Sequence, residues 1–385
     1  VTTTTSDRPE AQPRAASAVR VAALDGIRGL TIILVVVGHA GDLLWPRAPL
    51  DAIPVLRGFF GGGAVGVFFI VGGYLVTRGL LRDNERGVLD PVRFYLRRLV
   101  RLGVVVVPLV VAVGLVHLID VTDPASGRQT LTSLTNVLTY TVNIQATTDI
   151  LSTRSDLGHM WYLSVQQQVY LVLPLLVIAI RRRRRLALLC VELSVVAVVY
   201  RMAVLGSDGW IPATVSTLAR ADAVLLGALL ALAGPRLRRI EPHGSRVILV
   251  SLLALAGLMA VLPELPAFSY LSWWGVAFTV VAGALVAAAA TLTTGDGAAR
   301  LVTAPPLAWL GRASLGIFVW HLPVFFFVAR HTSGWEWFPR TLTAAALLGG
   351  LVWATHTWLE EPTRTWLRTH LQPRAVESTP EAVTR

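Results

Sequence analysis

Residues 23–40 read ALDGIRGLTIILVVVGHA. A helix needs about 20 mostly apolar residues to cross the hydrocarbon of a bilayer, and this block supplies them. Three ionisable residues interrupt it: Asp25, Arg28 and His39. Such groups face a bundle interior or a wet cavity, because facing lipid costs several kcal/mol. Arg28 and His39 are eleven residues apart, close to three full turns, so they share one helix face about 16 Å apart along the axis. Asp25, one turn before Arg28, extends the stripe and is placed to pair with it. Read alone, the segment leaves a snorkelling arginine and a packed histidine open beside a functional stripe.

The rest of the 385-residue chain continues in this style, with 54% hydrophobic and 15% charged residues and a mean hydropathy of +0.62. Its apolar residues fall in long blocks, which predicts an all-α, polytopic transmembrane helix bundle. About ten blocks qualify, near 28–45, 60–82, 99–119, 160–180, 186–206, 214–234, 246–262, 271–293, 313–330 and 340–359. The net charge of +11 is arginine throughout, clustered after even-numbered blocks: 78–101, 181–185, 236–239 and around 300–312. The positive-inside rule then puts those loops and both termini in the cytoplasm, and it explains the charge without a nucleic-acid partner. Residues 1–22 and 368–385 are polar and read as disordered cytoplasmic tails flanking a transmembrane domain at 23–367.

The long loop at about 120–158, rich in Thr, Ser, Asp and Asn, predicts a functional element or cap on the outer side. Cys190 is the single cysteine, so no internal disulfide forms, and no Cys/His spacing suits a metal. Arginine without lysine, beside abundant Ala, Val and Leu, suggests a GC-rich bacterial genome and hence the bacterial cytoplasmic membrane.

Other spans carry chemistry-bearing residues too. GVFFIVGGYLVTRGLL from Gly66 is punctuated by glycines that permit close helix approach, and FYLRRLVRL from Phe94 closes a basic loop. HMWYLSVQQQVYLVLPLL from His159 opens the fourth span, LGRASLGIFVWHLPVFFF from Leu310 carries His321, and WLEEPTRTWL from Trp358 closes the last. Arg220 and Asp222 lie inside the sixth span two residues apart, so each is expected to bond another helix. Trp161 and Tyr162 are placed for an outer aromatic belt or for stacking on a sugar.

Taken in order, these segments resemble the membrane acyltransferase-3 family over residues 23 to 365. The Arg-ten-residues-His pattern is Arg28 to His39; FFIVGGYL at 68–75 is similar to FF-x-x-SG-[FY]-L; Arg97, Arg98 and Arg101 match RR-x-x-R. WYLSVQQQVY at 161–170 resembles W-x-L-x-x-E-x-x-F-Y, and FVWHLP at 318–323 resembles YL-x-H-x-P.

The resemblance implies an O-acyltransferase moving an acyl group, acetyl foremost, from a cytoplasmic acyl-CoA to a hydroxyl of a carbohydrate, an envelope glycan or a small natural product. Acyl-CoA would be a co-substrate, with no bound cofactor; the partners are the bilayer, the donor and a hydroxyl-bearing acceptor. His39 is the expected base, since neutral imidazole takes a proton near pH 7. Arg28, oriented by Asp25, would hold the donor or stabilise charge at the acyl carbonyl. Arg97, Arg98 and Arg101 are candidates for the donor's phosphates, topology being the competing explanation. Trp161, Gln166, Tyr170, His321 and Glu361 complete the expected site.

Three positions depart from the pattern: Gly72 stands for serine, Gln166 for glutamate and Val169 for phenylalanine. An amide cannot act as a base, so if the family glutamate does, His39 or His159 must replace it. A substrate-translocating protein and a non-catalytic relative therefore stay open as alternatives.

Overall fold

A computed structural model describes residues 11–46 and 63–371. Among these residues every regular element is helical. Nine segments among the described residues are long and apolar enough to cross a membrane. One of them, Trp210–Glu264, has 55 residues, and at 1.5 Å per residue it is more than twice a bilayer's thickness. It holds two long helices, Thr217–Ala233 and Gly244–Val261, separated by the 3-10 stretch Gly234–His243. Counted as two crossings, it brings the total to ten, the number of apolar blocks.

In chain order the helices are α1 (Ala11–Leu43), α2 (Gly63–Glu85), α3 (Pro91–Ile119), α4 (Gly127–Thr139), α5 (Val142–Thr148), α6 (Trp161–Ala179), α7 (Arg183–Ser207) and α8 (Trp210–Val215). They continue as α9 (Thr217–Ala233), α10 (Gly244–Val261), α11 (Trp273–Thr291), α12 (Ala299–Thr303), α13 (Pro305–His331), α14 (Trp337–Thr355) and α15 (Glu361–His370). Residues 11–22, expected in a disordered tail, are instead the first three turns of α1, and residues 368–370 complete α15. The other tail residues, apart from Leu371, lie outside the described residues. A π-helical turn, His356–Glu360, joins α14 to α15.

Lipid supplies no hydrophobic drive between helices, so close contact needs small residues. At the crossing of α1 and α13, a Cβ at Gly29 would lie 2.0 Å from the Leu307 carbonyl oxygen, and one at Gly311 would lie 1.8 Å from that of Asp25. Only glycine permits these approaches. Gly73 on α2 and Gly227 on α9 interlock likewise, each facing the other helix's backbone, as the glycine pattern of the second span suggests.

The loop at 120–158 folds into α4, α5 and two 3-10 turns. Arg154, 3% exposed, ties it together by bonding Asp123 at 2.8 Å, Asp156 at 2.7 Å and Thr130 at 2.8 Å. Asp120 pairs with Arg330 of α13. Burial works against ionisation of Asp120 and Asp123, but it is outweighed at Asp120 by bonds from Thr122 and Arg330, and at Asp123 by those from Arg154, Ala125 and His117. Both carboxyls are held below their usual range. The polar loop is thus an ion-paired cap.

Arg220 and Asp222 bond elsewhere, as their spacing requires. Asp222 takes Arg201 of α7 at 2.8 Å, and Arg220 reaches the Tyr270 hydroxyl at 3.4 Å.

Candidate active site

The polar stripe on α1 is divided between two places. At its lower end Arg28 donates to Asp25 at 3.2 Å and to the Ser314 hydroxyl of α13 at 2.8 Å. Helical side chains lean toward the N-terminus, so the bond to Asp25, one turn back, directs the guanidinium away from His39.

At the upper end three histidines meet. His39 Nδ1 is 3.2 Å from His321 Nε2 and 3.0 Å from the Val35 carbonyl. His321 is fully buried, with Nδ1 2.6 Å from the Phe318 carbonyl. His159 stands edge-on to His321, ring centroids 4.9 Å apart, and its Nδ1 has no partner. A carbonyl only accepts, so in neutral His321 the proton sits on Nδ1 and Nε2 carries a lone pair. That lone pair and the Val35 carbonyl both call for a proton on His39 Nδ1. His39 Nε2 is then the basic nitrogen.

Arg28 lines a cleft of about 150 Å3 together with Arg98, Arg101, Tyr162, Gln166, Tyr170, Gly72 and Phe318. Tyr162, Gln166 and Tyr170 are four residues apart on α6 and so present one face. Gln166 donates to the Tyr162 hydroxyl at 2.8 Å, while the buried Tyr170 hydroxyl, close to Gln166 and Arg98, makes no hydrogen bond of ordinary geometry among the described residues. The Arg98 guanidinium lies 3.8 Å over the Tyr170 ring and bonds Gln167 at 2.6 Å. Gly72 closes the wall: a Cβ there would lie 2.2 Å from the Tyr170 hydroxyl and 2.8 Å from Gln166 Nε2. Two of the three departures from the expected pattern are therefore in contact.

Arg98 and Arg101 also line a larger cavity of about 940 Å3, which contains Arg82, Arg86, Arg97 and Arg368 with a single carboxylate, Asp83. Arg97 bonds the Leu371 carbonyl at 3.0 Å and stands 3.8 Å from Asp83. The two cavities form an arginine-lined path from one end of the bundle into its middle. The path ends at Phe318 and Tyr162, whose rings pack together at 5.1 Å. Phe318 also contacts the rings of His159 at 5.1 Å and His321 at 5.7 Å. One aromatic layer thus separates the cleft from the histidines.

Of the expected residues, Arg28, Arg98, Arg101, Gln166 and Tyr170 share the cleft, Asp25 orients Arg28, and His39 pairs with His321. Arg97 lines the larger cavity only, and two others fall elsewhere. Trp161 lines neither cavity and packs on Phe69, centroids 6.2 Å apart. Glu361 is 51% exposed and paired with Arg364 at 2.6 Å; its neighbour Glu360 is the buried one, with Oε1 unpartnered. Tyr162, expected near an interfacial belt, is 6% exposed and lines the cleft, as its spacing from Gln166 indicates.

The chain matches a family model described as an acyltransferase domain over residues 21–358. It is 26% identical over 323 residues to the peptidoglycan O-acetyltransferase OatA of Listeria monocytogenes, covering 79% of this chain and 49% of that protein. A putative peptidoglycan O-acetyltransferase of Bacillus subtilis, YrhL, is 27% identical over 78% of this chain and 48% of its own length. A putative O-acetyltransferase of Staphylococcus aureus is 23% identical over 79% of this chain and 50% of its own length. The chain spans about half the length of these curated relatives. No solved structure matches it.

Proposed function

The chain belongs to the membrane acyltransferase-3 family, and on that footing we propose that it transfers an acetyl group from acetyl-CoA to a hydroxyl of an envelope glycan at the bacterial cytoplasmic membrane. The names of the Listeria and Bacillus relatives favour a glycan acceptor over a small natural product. One observation carries the reading. A single helix sets Arg28 in an arginine-lined cleft and His39, with a free lone pair on Nε2, beyond the cleft's end.

The donor's phosphates pair with Arg82, Arg86 and Arg97 in the larger cavity through charge-assisted hydrogen bonds. Its thioester arm passes Arg98 and Arg101 into the cleft, where Arg28 holds the arm and the Gln166 amide, bonded to Tyr162 of the aromatic layer, holds the acyl end. The rise of about 16 Å between Arg28 and His39 is too great for both to serve one carbonyl, which favours Arg28 for the donor and His39 for the acceptor. His39 Nε2 takes the proton as the acceptor oxygen attacks the thioester carbon. The new C–O bond forms, the C–S bond breaks, and the leaving thiolate takes the proton from the His39 imidazolium, which returns to neutral imidazole. His321 and the Val35 carbonyl accept from Nδ1 of the imidazolium while it exists. The Phe318 ring moves aside for acetyl and hydroxyl to meet. Gln166, which cannot take a proton, positions the acyl group.

The test is transfer of label from radiolabelled acetyl-CoA by the protein in lipid, wild type beside His39→Ala, with folding checked in both. Loss of a general base predicts a fall of roughly 10²–10⁴-fold. Equal turnover by the two proteins would refute the assignment, and acceptor movement without donor would replace it with translocation.

A further inference from the structure

A third arginine-lined cavity, of about 710 Å3, opens at the arginine-rich end of the bundle and shares no wall residue with the two described above. Its arginines converge from four elements: Arg20 on α1, Arg78 on α2, Arg183 on α7 and Arg238 on the 3-10 connector. Two glutamates accompany them, Glu85 and Glu241. Glu85 is ion-paired with Arg183, whereas Arg20, Arg78 and Arg238 form no ion pair among the described residues.

The positive-inside rule accounts for arginine in these loops, but not for three unpaired guanidinium groups around one hollow. Gathered like charges repel, and an anion in the hollow relieves the repulsion. The lining is also divided by polarity: Arg78 and Arg238 are exposed, while Ala231 and Ala290 are buried. Arg78 is held over Tyr74, 5.9 Å from its ring centroid and bonded to its hydroxyl at 3.3 Å. Cations at the mouth and apolar groups within suit a phosphate that carries an apolar or ester-linked body.

We propose that this cavity is an anion site, separate from the donor path, that binds a phosphate-bearing ligand. Lipid headgroups and soluble phosphates share that chemistry. The full chain is placed in phosphatidylcholine nanodiscs with and without phosphatidylglycerol, and separately titrated with inorganic pyrophosphate, with thermal unfolding as the readout. Wild type is compared with the Arg78→Ala/Arg238→Ala double variant and with Arg238→Glu, a change on an exposed connector that spares the helices.

At least one probe stabilises wild type, with apparent affinity weakened roughly tenfold in the double variant. A response to phosphatidylglycerol alone identifies a lipid headgroup; a response to pyrophosphate identifies a soluble phosphate. If neither probe distinguishes wild type from the two variants, the site does not exist. A raised KM for acetyl-CoA in Arg238→Glu would overturn its separateness from the donor path.

Discussion

Gly311→Ala tests how the histidine pair is held. A methyl at residue 311 would lie 1.8 Å from the Asp25 carbonyl oxygen and 2.5 Å from its carbon. Both are helix backbone, so no side-chain rotation relieves the contact. Restoring an ordinary 3.4 Å separation requires α13 to retreat from α1 by about 1.6 Å, at an overpacking cost of about 1–3 kcal/mol. His39 and His321 lie on the same two helices, with His321 about 15 Å further along α13 than Gly311. Even half of the retreat at that level lengthens the 3.2 Å His39–His321 contact to about 4 Å, beyond hydrogen-bonding range. His39 then loses one of the two acceptors that fix its tautomer, and acetyl transfer falls by about tenfold or more. Thermal unfolding in nanodiscs and label transfer are measured together, with Gly257→Ala as the control because a methyl there meets nothing within 4 Å. Indistinguishable unfolding and turnover in the two variants would refute the reasoning.

Further outcomes follow from other contacts. Gly72→Ser abolishes transfer by driving a side chain against the Tyr170 hydroxyl, 2.2 Å from the new Cβ; adding Tyr170→Phe restores part of it, and no rescue would mean the serine fails for another reason. Glu361→Ala, at an exposed pair, changes stability by less than about 0.5 kcal/mol. Glu360→Ala, at the buried position, lowers the unfolding midpoint, and the reverse order would contradict the burial. Asp120 and Asp123 bind protons more weakly folded than unfolded, so their stabilisation is complete above an unfolded carboxylate value of about 4 and is lost as pH falls through the folded values. Unfolding midpoints should hold from pH 7 to about 5 and drop below about 4, and Arg330→Ala, which raises the folded Asp120 value, should make that drop smaller and complete at a higher pH.

Hydropathy made the bundle legible because every span carries its own apolar block, and the eleven-residue interval on α1 located both ends of the candidate site. Helix rotation was less legible, being set by packing. The π-helical turn His356–Glu360 adds a residue to the last span, so a 3.6-residue count cannot tell which glutamate of the pair faces inward. Trp161 and Tyr162 are adjacent aromatics at a helix start; the four-residue interval to Gln166 favours Tyr162, and the contact with Phe318 places it in the cleft. Arg201 carries no local signal in an arginine-rich chain. Its buried partner Asp222 was visible in the sequence; the pairing needed three dimensions.

The aromatic layer at Phe318 and Tyr162 has an electrical meaning. The arginine-lined path reaches from one end of the bundle as far as these rings, with the buried histidines behind them. Moving one elementary charge across the full transmembrane voltage is worth about 2.3 kcal/mol per 100 mV, so a sealed layer at the end of such a path has an energetic role as well as a steric one. Under the proposed transfer, acyl groups cross this layer, and its close packing at every other moment would keep protons from following them.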